Sequence, residues 1–160
     1  MIDTVFAIDR LVYEHWGGGP LEWSDVDHAL RRIERREGWT RKQLGGPLAS
    51  ASYQVFEWHD RYGAGLGWSL HLLGITAVST RRPEWGLPPE FHLTSEGRLF
   101  EALSADGAFT LPDADWLLAP LSPSDKAAIA ASPVNGGWEA YNLKHWKPYT
   151  RAEALFTHWD

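Results

Sequence analysis

The sequence predicts a mainly α-helical protein with one small β-hairpin, folded as a single domain over residues 1–160. In residues 24–37, apolar side chains recur at the three- and four-residue spacing of an amphipathic helix. These side chains are Val26, Ala29, Leu30 and Ile33. Residues 74–94 join a strand-forming run to a turn rich in proline and glycine, which is typical of a hairpin. A chain of this length can enclose one hydrophobic core.

The composition favours a cytoplasmic protein without a membrane span. The chain has no cysteine, which excludes disulfides and thiolate metal sites and suits a reducing compartment. Asp3, Asp9 and Arg10 interrupt the first apolar run, so it does not have the pattern of a secretory signal. No uninterrupted apolar run approaches the length of a transmembrane helix.

The charge pattern divides the chain into thirds. Residues 1–30 hold one arginine against six acids, a net charge of −5. Residues 31–98 hold ten basic residues against seven acids, a net charge of +3, and residues 99–160 hold four against eight, a net charge of −4. Any nucleic-acid surface is therefore expected in the middle third. The ten tryptophans favour an aromatic core, with an interface as the alternative.

Catalytic motifs are absent from the sequence. The seven histidines lack metal-ligand spacing, and neither a cysteine nucleophile nor a Gly-x-Ser-x-Gly elbow occurs. The run Glu57-Trp58-His59-Asp60 places carboxylates beside an imidazole in sequence, but neighbours along the helix expected there do not face one another. We therefore expect no enzyme activity, no cofactor and no metal.

Further helices are expected on either side of residues 24–37. Residues 2–16 have helical apolar spacing and end at a Gly17–Pro20 linker. Thr40–Gln43 has the pattern of a capping box and predicts a very short helix. Pro47 suits the first turn of a helix reaching to about Tyr62, and residues 66–73 predict a short apolar helix before the hairpin.

The stretch Ser69–Leu103 resembles the wing of winged helix-turn-helix regulators of the MarR and PadR kind. In both, a helix leads directly into a hairpin with a basic tip. The hairpin is followed by the start of a second helix with the pattern Leu-Thr-x-Glu-Gly-Arg, which here is Leu93–Arg98. The resemblance implies a winged-helix-like core over residues 21–104. Residues 1–20 would then be an added N-terminal helix with its linker, and residues 105–160 an acidic helical tail.

A second stretch is similar to the helix-turn-helix of phage repressors, because its apolar and small residues match that spacing. These residues are Leu44, Leu48, Ala49, Ala51, Val55 and Trp58. This similarity makes residues 47–62 the helix that reads DNA, whereas the winged-helix resemblance gives that role to residues 66–73. The sequence leaves both alternatives open.

Two signals predict helices in the tail. Ser122, Pro123 and Asp125 open a short alanine-rich helix that runs to about Ala131. Thr150 and Glu153 form a capping box for a last helix, whose apolar residues are expected to dock on the domain or on a second copy.

The first functional hypothesis is a winged-helix transcriptional regulator that binds duplex DNA as a homodimer. Basic side chains would contact phosphates, and two polar side chains of the reading helix would contact bases. The expected phosphate contacts are Arg31, Arg35, Arg41, Lys42, Arg81 and Arg82, and the expected base contacts are Tyr53 and Gln54.

The second hypothesis is an acidic protein-interaction module, such as an immunity- or antitoxin-like inhibitor or an adaptor, that binds a basic protein partner and no DNA. It rests on the net charge of −6, the acidic flanks and the abundance of tryptophan.

Overall fold

A five-stranded antiparallel sheet lies between two layers of helices in the computed structural model of the protein. The structure describes residues 14–18, 22–44, 53–83, 91–131 and 149–156. The helices are α1 (Trp23–Glu37), α2 (Arg98–Asp106), α3 (Ala114–Leu118), α4 (Pro123–Ala130) and α5 (Arg151–Leu155). The strands are β1 (Thr40–Gln43), β2 (Gln54–His59), β3 (Gly65–Leu72), β4 (Ile75–Ser79) and β5 (Leu93–Thr94). Within the described ranges, no helix has the length and apolar character needed to cross a membrane.

The sheet is a meander in which each strand pairs with its neighbour in the sequence, in the order β1-β2-β3-β4-β5. Val55 lies opposite Leu70, and Leu70 lies opposite Ala77, so these three side chains share one face. An irregularity at Trp58 and His59 shifts the register where β2 approaches its turn into β3.

The expected fold class, mainly α with a winged-helix-like core, is wrong: the protein is a mixed α/β protein. Thr40–Gln43 forms β1 instead of a short helix, residues 54–59 form β2, and residues 65–72 form β3. The hairpin of β4 and β5 exists, but it is the edge of the larger sheet and not an isolated wing. The described tail is a helical layer packed on that sheet.

The physical reason for the error is burial on both sides of the sheet. Every residue from Ser69 to Leu72 and throughout β4 is buried, so no alternation of polar and apolar residues marks these strands. A short apolar run without alternation can be read as helix or strand.

Helices with strong end signals agree with the sequence. α1 covers the expected 24–37, and α2 follows the hairpin as expected. The capping boxes at Ser122 and Thr150 open α4 and α5. Residues 1–13, which hold most of the expected N-terminal helix, lie outside the described residues. The same is true of residues 45–52 and of residues 84–90 at the hairpin tip.

Two hydrophobic clusters cover the two faces of the sheet. On one face Phe56, Trp58 and Val78 pack against α1 and α2, with Leu30 and Leu99 among the helical residues. On the other face Val55, Leu70, Leu72, Ile75 and Ala77 pack against the layer of α3, α4 and α5. The buried residues that these helices add to this cluster include Leu117, Ile129 and Leu155.

A chain of hydrogen bonds crosses the face covered by α1 and α2. The indole Nε1 of Trp58 donates to Ser69 Oγ at 2.8 Å, and Ser69 Oγ lies 2.7 Å from Nε2 of His71. Nδ1 of His71 lies 3.0 Å from Thr76 Oγ1, which donates to the Gly74 carbonyl at 3.2 Å. An indole can only donate and a carbonyl can only accept, so full pairing along the chain assigns the His71 proton to Nδ1.

His71 is neutral in this environment. It is completely buried and packs against the rings of Phe56 and Phe109. Burial, followed by the positive charge of Arg41, lowers the pKa of His71 to about 3. A protonated imidazole would also turn both ring nitrogens into donors and leave the Ser69 hydroxyl without its acceptor.

Replacing Trp58 by Phe should destabilise the protein more than the same replacement at Trp68. Trp58→Phe removes the hydrogen bond to Ser69 and leaves a cavity in the core, at a combined cost of about 2–3 kcal/mol. Within the described part of the chain, Trp68 Nε1 is buried without a hydrogen-bond partner, so Trp68→Phe removes an unsatisfied donor and should cost less than about 1 kcal/mol. Urea denaturation of both variants measures the difference in the free energy of unfolding. Equal losses of stability would contradict a stabilising role for the hydrogen bonds that begin at Trp58.

Stability should fall as the pH decreases from 7 to 4.5, and His71 should carry part of that loss. Its folded pKa is lowered, so below the unfolded value of about 6.5 the unfolded state binds a proton that the folded state does not. The contribution lost over this window is up to about 2.5 kcal/mol. His71→Gln should be less stable at pH 7 but should lose less on acidification. His28→Gln, on the exposed face of α1, is the control and should keep the wild-type slope in urea titrations.

Candidate functional site

The expected phosphate contacts on α1 are only partly available. Arg31 is exposed and pairs with Asp27 on its own helix, with Nε and Oδ2 2.9 Å apart. Arg32 and Arg36 both reach the carboxylate of Asp106 on α2. The side chain of Arg35 is exposed and makes no hydrogen bond or ion pair with the residues that the structure describes. Most of the arginine face of α1 is therefore neutralised within the fold.

Arg41 belongs to the structural framework. Its side chain on β1 is only 12 % exposed. Its Nε lies 2.6 Å from Glu34 Oε1, its Nη2 lies 2.7 Å from Asp27 Oδ1, and its guanidinium lies over the ring of Phe56. The hydrogen bond from Arg41 is the main cause that lowers the pKa of Asp27. Arg41 thus joins β1 to α1 and has no free charge to offer a phosphate.

The expected base contacts lie at the start of β2 and not on a helix. Tyr53 is buried and packs edge-on against Phe156, and burial raises the pKa of its hydroxyl. Gln54 is half-buried opposite His71. Neither residue is presented on an exposed helix that could enter a DNA groove.

The remaining expected contacts are exposed but dispersed. Arg81 and Arg82 follow directly after β4, and Lys42 lies on β1 at the edge of the sheet. The structure therefore does not bring the expected DNA contacts together on one surface.

A pocket of about 590 Å³ opens at the end of the sheet where β2 and β4 finish and β3 begins. Trp58 and Val78 form the buried part of its wall, and Trp68 borders it from β3. The segment after β5 closes the remaining side. Polar lining residues from these elements are Glu57, His59, Ser79, Thr80, Thr94 and Glu96.

The hydroxyl groups of the pocket are already used by the fold. Ser79 Oγ donates to the Arg81 carbonyl at 2.6 Å, and Thr80 Oγ1 donates to the His92 carbonyl. Thr94 Oγ1 accepts a hydrogen bond from the backbone of Glu96. These hydroxyls therefore shape the wall and are not free nucleophiles.

The three ionisable side chains of the pocket differ from the hydroxyls. The side chains of Glu57, His59 and Glu96 make no hydrogen bond or ion pair with any residue in the described ranges. Lys42 lies opposite Glu57 in the pairing of β1 with β2, yet no ion pair joins the two. By contrast, Asp27, Asp106 and Asp125 are all held by arginines. Two carboxylates without cations therefore face the same pocket.

Glycines leave space at the rim of the pocket. A Cβ at Gly65 or at Gly97 would meet no atom within 4 Å. Gly67 is different, because its φ of 121° and the Ser79 carbonyl 3.1 Å from a Cβ require glycine there. The backbone therefore approaches the pocket closely at Gly67 and leaves it open at Gly65.

The two carboxylates and the neighbouring indole of Trp68 suit a cationic group. Carboxylates attract an ammonium or guanidinium group, and indole rings bind cations through their faces. Among the residues that the structure describes, no group of three His, Cys, Asp or Glu side chains is placed to hold a metal ion. The Ser69–His71 pair has a short contact, but both residues are fully buried, so no substrate can reach it.

The sequence contained a signal for this pocket that the helix assignment concealed. Glu57 and His59 are two positions apart, and on a strand such residues lie on the same side. Both line the pocket, with Trp58 between them turned into the core.

Comparisons of the chain with protein-family models, with characterised proteins and with solved structures give no significant match.

Proposed function

We propose that the protein is a binding module that recognises a basic segment of a protein partner at the pocket formed by the end of the sheet. The observation that supports this is the presence of Glu57 and Glu96 on one pocket without a counter-ion in the described part of the chain. Glu57 is half-buried and Glu96 is exposed, so both can be reached from solvent, whereas the buried carboxylate of Asp125 is paired within the fold.

Asp125 provides the contrast in detail. Burial of this carboxylate raises its pKa, but hydrogen bonds from Ser122 and His15 and the charge of Arg151 outweigh that effect and hold the pKa at about 2. It accepts from His15 Nε2 at 2.8 Å and from Arg151 Nε at 3.0 Å. A carboxylate with these partners is structural, whereas those of the pocket are available to a ligand.

The pocket has room for the side chain of a lysine or an arginine. Ligand sites of about 300–1,000 Å³ are common, and a lysine or arginine side chain fills only part of such a volume. Trp68, which is only half-buried, can cover the aliphatic part of the side chain while Glu57 and Glu96 contact its charged end. A partner with several basic residues would also be attracted by the protein's net charge of −6.

Binding to duplex DNA has less support. This hypothesis rested on a winged-helix fold, which the five-stranded sheet contradicts. Most of the arginines on α1 and β1 also have acidic partners within the fold, namely Arg31, Arg32, Arg36 and Arg41. A protein that neutralises phosphates needs several basic side chains on one surface.

A titration with three labelled probes tests the proposal: a short peptide of alternating Arg and Gly, one of alternating Glu and Gly, and random duplex DNA. The wild type should bind only the basic peptide, and more weakly at high salt because screening reduces the attraction. Glu57→Gln combined with Glu96→Gln should weaken that binding roughly tenfold, about the effect of two partly exposed ion pairs.

The matched control is Glu101→Gln combined with Asp115→Asn, which changes the net charge equally at exposed positions that do not line the pocket. It should bind almost as well as the wild type. Gly65→Leu should also reduce binding, because it fills the rim of the pocket without meeting another atom at Cβ. Equal losses in the pocket variant and the control, or a preference for DNA, would contradict the proposal.

A further inference from the structure

The turn between β2 and β3 connects two residues of the pocket wall. His59 and Gly65 both line the pocket and lie opposite each other in the strand pairing. Residues 60–64 therefore stand directly at the rim of the pocket. Tyr62 occupies this turn, and 86 % of its surface is exposed.

The turn is held in one conformation by Asp60. Its Oδ1 accepts hydrogen bonds from the backbone of Tyr62 at 2.8 Å and of Ala64 at 3.0 Å. The Asp60 backbone also bonds to Ala64 and to Gly63, and Gly63 adopts a φ of 82° that closes the turn. These bonds, first that from Ala64, lower the pKa of Asp60, so its carboxylate stays ionised at neutral pH.

The turn is also attached to the body of the protein. Arg98 lies with Nη1 3.6 Å from Asp60 Oδ2 and with its guanidinium 5.6 Å from the ring of Trp39. Arg61 reaches back to the end of α1, since a Cβ at Gly38 would lie 3.3 Å from its Nη2. Asp60 and Arg61 are thus used to hold the turn, while the tyrosine between Arg61 and Gly63 points to solvent.

An aromatic ring that is fully displayed on a fixed turn contributes nothing to the protein's own core. In interfaces, tyrosine is enriched among the residues that carry most of the binding energy. A side chain on a backbone that is already ordered also loses less entropy when it binds. Tyr149 is exposed too, but it precedes α5 and does not line the pocket.

We infer that Tyr62 is an aromatic anchor that contacts an apolar residue of the partner next to the basic residue taken by the pocket. The inference rests on the proposed function and adds a second contact to it. The partner segment then has a stated chemistry: a basic side chain for Glu57 and Glu96, adjacent to an apolar side chain for Tyr62. Complementary charge selects the first residue and the exposed ring selects the second.

Two labelled peptides test the inference on the full chain, one of alternating Arg and Gly and one of alternating Arg and Leu. The wild type should bind the Arg–Leu peptide more tightly. Tyr62→Ala should weaken binding of the Arg–Leu peptide roughly tenfold and leave the Arg–Gly peptide almost unchanged. Tyr62→Phe should retain most of the difference, because the ring and not the hydroxyl makes the contact. Tyr149→Ala should bind both peptides as the wild type does.

The outcomes separate this inference from the proposed function. If Tyr62→Ala affects both peptides equally or neither, the anchor is overturned while the pocket can still pass its own test with Glu57→Gln and Glu96→Gln. If the wild type binds neither peptide, the proposed function is overturned and the anchor with it. Asp60→Ala supplies a further check: it removes the oxygen that accepts from Tyr62 and Ala64, loosens the turn without changing the ring, and should selectively weaken binding of the Arg–Leu peptide.

Discussion

The structure depends on the burial of β3 and β4 on both faces. Ser69, Leu70 and His71 are inaccessible to solvent, and every residue of β4 is buried. Such strands need a helical layer on each side, which α1 and α2 supply on one face and α3 to α5 on the other. Their buried polar side chains also need internal partners, and the hydrogen bonds from Trp58 to the Gly74 carbonyl supply them on the face covered by α1 and α2.

Helices could be predicted from the sequence where their ends carry a chemical signal. α4 and α5 begin at the capping boxes of Ser122 and Thr150, and α1 shows a clear apolar stripe. The same capping pattern at Thr40 misled the prediction, because Arg41 binds Glu34 and Asp27 and thereby fixes these residues as an edge strand. Local propensity is a weak preference that such tertiary contacts override.

The candidate site was harder to predict, since it combines the ends of three strands with the segment before α2. Glu57, Trp68 and Glu96 are far apart in sequence, and only the antiparallel register brings them together. The arginines of α1 formed the more conspicuous pattern. Their partner Asp106 lies on α2, more than seventy positions beyond Arg32 in the chain, and charge counting along the sequence cannot find such a pairing.

The meander has a consequence for how the chain acquires its structure. Each strand pairs with its neighbour in sequence, so the pairings of the sheet join nearby segments of the chain and can form early. α1 precedes the sheet and α2 follows it directly, whereas α3 to α5 come last in the described chain. During synthesis the face of Val55, Leu70 and Ala77 is therefore the last to be covered, and it is the surface at which nascent chains of this protein would aggregate or engage a chaperone.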